Sequence, residues 1–206
     1  MQGATRIVLV RHGQTGWNAD GRIQGHLDMP LNEHGRWQAQ RTGEVLRGSA
    51  FDAVYSSDLQ RARDTALALA DGVPVIDDPG LRERGFGEFE GLTFAEVEAR
   101  WPDAARRWRQ RDLAFGPPGG EVLAEFYERA VRTARRLALA HPGQHIALVS
   151  HGGVLDCLYR AATGLTLDAP RSWVLGNAAI NRLLHHGEGF SLVGWNDAAH
   201  LDRDTP

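Results

Sequence analysis

Short apolar runs rich in β-branched residues alternate along this chain with longer stretches whose apolar positions recur every three or four residues. Residues 5–10 (TRIVLV) read as a strand that runs straight into Arg11-His12-Gly13. The Gly-, Asn-, Asp- and Pro-rich stretch 16–32 predicts a loop, and Glu33–Leu46 a helix. A second strand is predicted at 51–55. It leads into Ser56-Ser57-Asp58, which read as capping residues for a helix over 59–70. A third short strand follows at 73–77.

Between Glu83 and Glu121 the pattern changes to a Gly-punctuated turn, a helix starting near Thr93 and a segment dense in Arg and Trp. We read about 84–121 as a small lid inserted into a single domain spanning 1–206. Trp101 and Trp108 would share a helix face, but Pro102 breaks or restarts that helix. The PPGGE loop (117–121) either lines a cleft mouth or stiffly caps the long helix that follows, whose apolar face is marked by Val122, Phe126, Ala130, Val131, Ala134 and Leu137. A strand at 145–149 ends at Ser150-His151-Gly152-Gly153, and a helix follows over 154–162. Further strands are predicted at 172–175, 179–185 and 190–195. The alternation implies an α/β fold of three layers, α/β/α, with a mostly parallel sheet and helices on both faces.

Composition narrows the function. The chain is 42% hydrophobic with a formal charge of -3. That balance fits a globular protein and lacks the basic field that nucleic acid or an anionic membrane requires. The partner expected is a small molecule. No run approaches the roughly 20 apolar residues that span a bilayer, and the lone Cys157 cannot form an internal disulfide. With no leader-like start, the expectation is a cytoplasmic protein. All 23 Lys+Arg residues are Arg, which excludes a phosphate-loop lysine, a Schiff-base lysine and pyridoxal chemistry. The nine histidines show no metal-ligand spacing: His141 and His145 straddle Pro-Gly, and His185-His186 would point to opposite sides of a strand. Neither a metal nor a cofactor is expected. An exposed Trp patch on the lid leaves a homodimer open, a pocket wall being the other reading.

Two predicted strands end in the same text, His followed by Gly, and open α/β sheets place sites at strand carboxyl ends. His12 and His151 are therefore expected to face each other. With Arg11 and Arg61 they form a cluster of positive donors that would repel itself without an anion, and a phosphate accepts the forks of two guanidiniums.

The segments LVRHGQT (9–15), YSSDLQRARDTA (55–66), LRERGFGEFEG (81–91) and LVSHGG (148–153) resemble, in order, the signatures of the histidine phosphatase (phosphoglycerate mutase-like) superfamily. The resemblance spans the chain and implies a phosphatase working through a phosphohistidine at His12. It implies that Arg11, Arg61 and His151 hold the phosphoryl oxygens and that Glu83 is the proton donor, with Glu88 and Glu90 as competing carboxylates. The carbonyl of Gly13 would anchor the other nitrogen of His12. Thr15, Asn18, Gln24, Gly25 and Gly152 would contact substrate, although Thr15 also reads as a turn-capping hydroxyl. Val122 departs from the Ser or Thr that small-molecule phosphatases of the family often carry there.

A 2,3-bisphosphoglycerate-dependent phosphoglycerate mutase is the rival within the superfamily; the short chain and compact lid disfavour it. A non-catalytic phospho-ligand binder would be expected to lose the nucleophile or the acid, and both are present. A metal-dependent hydrolase is separable by chelator. Nothing in the lid selects among phosphorylated three-carbon acids, sugar phosphates, nucleotide-derived monoesters and a ribazole-type phosphate.

Overall fold

The computed structural model describes residues 3–187 and 189–202. Six strands form one sheet: β1 (Thr5–Arg11), β2 (Ala53–Ser56), β3 (Val75–Asp77), β4 (His145–Ser150), β5 (Ile180–His186) and β6 (Gly189–Asp197), in the order β3-β2-β4-β1-β5-β6. The four strands from β3 to β1 are parallel, while β5 and β6 add antiparallel to the β1 edge. The mostly parallel expectation thus holds for the half that carries the motifs. The two central strands, β1 and β4, read as near-continuous apolar runs because both of their faces are covered.

The helices are α1 (Gly16–Ala19), α2 (Glu33–Leu46), α3 (Gln60–Leu69), α4 (Phe94–Arg100), α5 (Pro102–Arg109), α6 (Leu123–Leu139) and α7 (Gly152–Thr163). One core cluster joins Val8, Val10 and Val149 to Leu46 of α2 and Ala62, Ala66 and Leu69 of α3. The other joins Ile7, Leu9 and Leu148 to Phe126, Ala130 and Leu137 of α6 and Leu155 and Leu158 of α7. Side chains alternate across a strand, so consecutive β1 residues feed opposite layers.

Helix α2 begins where its pattern places it, because the Asn32 side chain accepts from Gly35 N at the N-terminus. Pro102 restarts the chain as α5, directly after α4 ends, and Thr93 opens α4 with a capping box to Glu96. Phe89, Val97, Ala105 and Phe115 form a third apolar cluster, with Trp101 and Trp108 packed against it. The 84–121 segment therefore has a small core of its own. Among the described residues no helix is long and apolar enough to cross a membrane.

Three expectations are corrected. Residues 172–175 form no strand: the Leu175 carbonyl accepts from Arg11 Nη1 at 2.5 Å and the Val174 carbonyl from Trp195 Nε1 at 2.9 Å, so side chains satisfy this backbone. Ser56-Ser57-Asp58 do not cap α3, whose N-cap is Leu59 with no side-chain bond. Ser57 and Asp58 are engaged elsewhere, as described below. The 16–32 loop contains α1, one turn opened by Thr15. The polar tail from Asn196 is partly buried: His200 Nε2 lies 3.1 Å from Thr42 Oγ1, pinning the Ala199–Leu201 turn onto α2, and residues 203–206 fall outside the described residues.

Candidate active site

Register brings the two histidines together. Arg11 pairs with Ser150 at the ends of β1 and β4, and His12 N donates to Ser150 O at 2.9 Å, continuing the ladder by one residue. The rings of His12 and His151 consequently lie 5.1 Å apart, centroid to centroid. The next parallel strand, β2, delivers Ser57, whose hydroxyl meets His151 Nε2 at 2.8 Å.

His12 is 3% exposed. Its Nδ1 lies 2.7 Å from Gly13 O, so Nδ1 carries the proton, and the Nε2 lone pair is left free in a ring that lines the cleft. Burial, reinforced by the charges of Arg11 and Arg61, holds the His12 pKa well below 6.5. The ring is a neutral imidazole at pH 7. Burial likewise depresses His151, with Arg61 and His12 adding to the effect.

Two guanidiniums flank this pair. Arg61 is fully buried on α3, held by Nη1 to Leu27 O at 2.9 Å and Nη2 to Gly25 O at 2.8 Å. Desolvation lowers its pKa to about 10 despite the carboxylate of Glu83 nearby. The Nε atoms of Arg11 and Arg61 and Nδ1 of His151 are buried without a hydrogen-bond partner among the described residues. Three orphaned nitrogens, two of them cationic, around a free imidazole lone pair form a seat for an oxyanion. The N-terminus of α7, whose N-cap His151 makes no side-chain cap bond, adds a favourable dipole.

Glu83 faces this seat. Its Oε1 accepts from Arg84 N at 2.9 Å and its Oε2 from Gly153 N at 3.0 Å. A Cβ on Gly153 would stand 2.1 Å from Glu83 Oε1, which explains the second glycine of the His-Gly-Gly motif. The competitors are engaged elsewhere or exposed: Glu90 Oε1 accepts from His26 N and Phe86 N, and Glu88 faces solvent.

The expected substrate-contacting positions fall into two sets. Asn18, Gln24 and Gly25 line a cleft of about 210 Å³ with Arg11, His12, Arg61 and Glu83. Thr15 is fully buried, and its hydroxyl caps α1 and donates to Gln24 Oε1 at 2.9 Å. It orients Gln24 and does not itself reach the cleft. Gly25 has φ of +52° and its Cβ position lies 2.0 Å from Glu90 Oε1, so only glycine fits where its carbonyl holds Arg61. Gly152 lines a second, wider cleft of about 800 Å³. Arg11, Glu83, Phe86 and Trp108 line both, so the two clefts meet at the carboxylate.

Several supporting residues carry no sequence signal of their own. Arg129 of α6 donates Nη1 to Gly80 O and Arg82 O, and Nη2 to Glu83 O. Its Nε and Nη2 also grip both oxygens of Glu121 at 2.8 and 2.7 Å. Glu121 in turn accepts from Gly85 N. The PPGGE glutamate therefore braces the Glu83 segment instead of capping α6. Asp58 forks onto Arg82 at 2.7 and 2.6 Å, tying the same segment to the end of β2. Asn177 Nδ2 donates to His12 O at 2.8 Å; its position just before β5 was the one available hint. Trp108 packs on Phe86, Phe89 and Phe94 and walls both clefts. Trp173 stacks instead on Tyr159, at the far side of the wider cleft's lining.

A neutral imidazole between two guanidiniums at the carboxyl ends of parallel strands, with a carboxylate facing it, is a site for phosphoryl transfer. The comparisons agree. Residues 7–198 match the description "Histidine phosphatase superfamily (branch 1)". The chain is 39% identical to a metal-independent phosphoserine phosphatase of Arabidopsis thaliana, over 96% of this chain and 83% of that protein. It is 39% identical to a glucosyl-3-phosphoglycerate phosphatase of Mycolicibacterium vanbaalenii, over 97% and 98% respectively. Among solved structures, Bacillus stearothermophilus YhfR superposes with a TM-score of 0.90 at 32% identity, covering 97% of this chain and 100% of that one. The chain belongs to the histidine phosphatase superfamily. It is a phosphoric monoester hydrolase of that superfamily, which acts through a phosphohistidine.

Proposed function

We propose that His12 is the phosphorylated residue and that the enzyme hydrolyses small phosphorylated metabolites without a metal. The observation that carries this reading is the tautomer of His12: Nδ1 bonded to Gly13 O, Nε2 free, the ring held neutral by burial among arginines. Nε2 attacks phosphorus in line. Arg11, Arg61 and His151 neutralise charge on the phosphoryl oxygens, and Asn18 and Gln24 hold the same group from the opposite loop. Glu83 protonates the leaving alkoxide and then takes a proton from the water that cleaves the phosphorus–nitrogen bond. The 84–121 segment serves as the lid of a single domain, with Trp108 as its inner wall.

The two relatives above are named for phosphoserine and for glucosyl-3-phosphoglycerate, which supports a phosphorylated small molecule as substrate and favours hydrolysis over mutase chemistry. The single, buried Cys157 is consistent with a reducing cytoplasm.

The test is turnover of p-nitrophenyl phosphate and a phosphomonoester panel in chelator, for wild type and His12→Ala. Chelator-resistant hydrolysis that the substitution abolishes is the expected result. Hydrolysis abolished by chelator, or undiminished in His12→Ala, overturns the assignment.

A further inference from the structure

We infer that the wider cleft holds a leaving group bearing a second negative charge, a carboxylate, and that Arg171 is the residue that selects it. The inference rests on the phosphatase assignment and extends it to the substrate class.

The smaller cleft already contains the imidazole and the phosphoryl donors, so the oxygen protonated by Glu83 leads into the wider one. At about 800 Å³ that space is of the size that encloses a whole small ligand, and it is far larger than a phosphoryl group needs. Its lining carries Arg11, Arg84, Arg109, Arg111 and Arg171 against only two carboxylates, Glu83 and Asp156. Most of those charges are committed. Arg84 donates to Glu121 O and Phe115 O. Arg109 pairs with Glu98 at 2.7 Å. Arg111 donates to Leu167 O at 2.5 Å and pairs with Asp156 at 2.8 Å, and Asp156 also takes Arg160. Glu83 is held by two backbone amides.

Arg171 differs. Among the described residues it has neither a hydrogen bond nor an ion pair, it is exposed at the lining it shares with Arg11, and it adds a small further push to the Arg11 pKa that burial already lowers. Its field therefore reaches the reaction centre, where an excess of positive charge faces an open cleft. A phosphate neutralises the inner part of that excess. A carboxylate on the far end of the leaving group neutralises the rest, with the guanidinium fork suited to bind it through both oxygens. The cleft's volume of about 800 Å³ favours an acid longer than three carbons, its body lying along Trp108 and Phe86.

The test compares isosteric pairs that differ only in a terminal carboxylate or hydroxymethyl: 6-phosphogluconate against sorbitol 6-phosphate, and 3-phosphoglycerate against glycerol 3-phosphate. Binding is measured by calorimetry in a His12→Ala background, and kcat/KM in the active enzyme. The acid of the longer pair is expected to win by roughly 10- to 100-fold, mostly in KM. R171Q should erase that ratio, R171K should restore part of it, and R100Q, which removes a charge outside the cleft, should leave it unchanged. Equal affinities within both pairs, or a preference that survives R171Q, overturns the inference. Binding ratios are read without turnover, so an enzyme inactive on the whole panel sinks the phosphatase assignment and still leaves the role of Arg171 decided.

Discussion

The narrow cleft is built on the buried His12 at the end of β1 and the buried Arg61 of α3, with Arg11, Asn18 and Glu83 half-buried around them. The wide cleft shares α6 and α7 with the core on one side, while its other wall is α5 and the 170–175 segment, largely exposed elements that meet the core through a separate apolar cluster and a few arginine struts. The first holds its groups where ladder register puts them. The second is a packing solution that can change without moving the imidazole. On the proposed reading, the contrast lets one phosphoryl-transfer device serve different leaving groups: chemistry at the end of the sheet, selection on the outer wall.

The contrast can be broken first at the point where the clefts meet. Glu83→Gln removes the proposed proton donor and should lower kcat/KM, which reports transfer to His12 and not the later attack of water, by about 10²- to 10⁴-fold for alkyl phosphates, with a much smaller loss for p-nitrophenyl phosphate, whose leaving group needs no proton. Equal losses on both would deny Glu83 that role. A second break is Phe89→Ala. Phe89 is fully buried at the centre of the 84–121 cluster, between Trp101, Trp108 and Phe115, and its truncation should cost about 3–5 kcal/mol locally. Hydrogen exchange should rise across 84–121 while inorganic phosphate still protects β1 and β4; exchange rising equally in the sheet would show that the two regions are one cooperative unit.

Arg129→Gln sharpens the picture further. Loss of the donor to the Gly80, Arg82 and Glu83 carbonyls should displace the acid without touching His12. The expected signature is a roughly tenfold fall in kcat/KM confined to poor leaving groups. A uniform loss on all substrates would mark a purely structural role.

The smallest effect is on stability against pH. His12 and His151 are held neutral in the fold, with pKa values well below 6.5, and protonate near 6.5 when unfolded. The unfolded chain therefore binds more protons as pH falls through that value. Their contribution is complete above about pH 6.5 and declines below it, by up to about 1.4 kcal/mol per pH unit for each. Tm should be lower at pH 5.5 than at pH 7.5, and saturating inorganic phosphate should narrow the gap. A flat profile would contradict the buried neutral pair.

The same division governs what could be read from the sequence. The α2 boundaries, the β1 and β4 runs and the residues at their ends were legible, because period, Asn32 and the His-Gly texts each carry a local cause. Parallel register then converted two separate motifs into one site. The roles of Ser57, Arg129 and Glu121 were not legible, since each depends on a partner brought close only by the fold: Ser57 meets His151 across 94 positions, Arg129 the Glu83 carbonyl across 46. Ser57 read as a cap because its local alternative was plausible, and 172–175 read as a strand because its pattern gave no sign that Arg11 and Trp195 would take its carbonyls.

The central claim is the covalent intermediate on His12. Enzyme mixed with a radiolabelled phosphomonoester and quenched in alkali within milliseconds should carry label that is stable to base, released by acid, and located by peptide mapping on His12; His12→Ala should carry none. Label on another residue, or wild-type turnover with no trapped label and oxygen-18 showing direct attack of water with inversion at phosphorus, would contradict it.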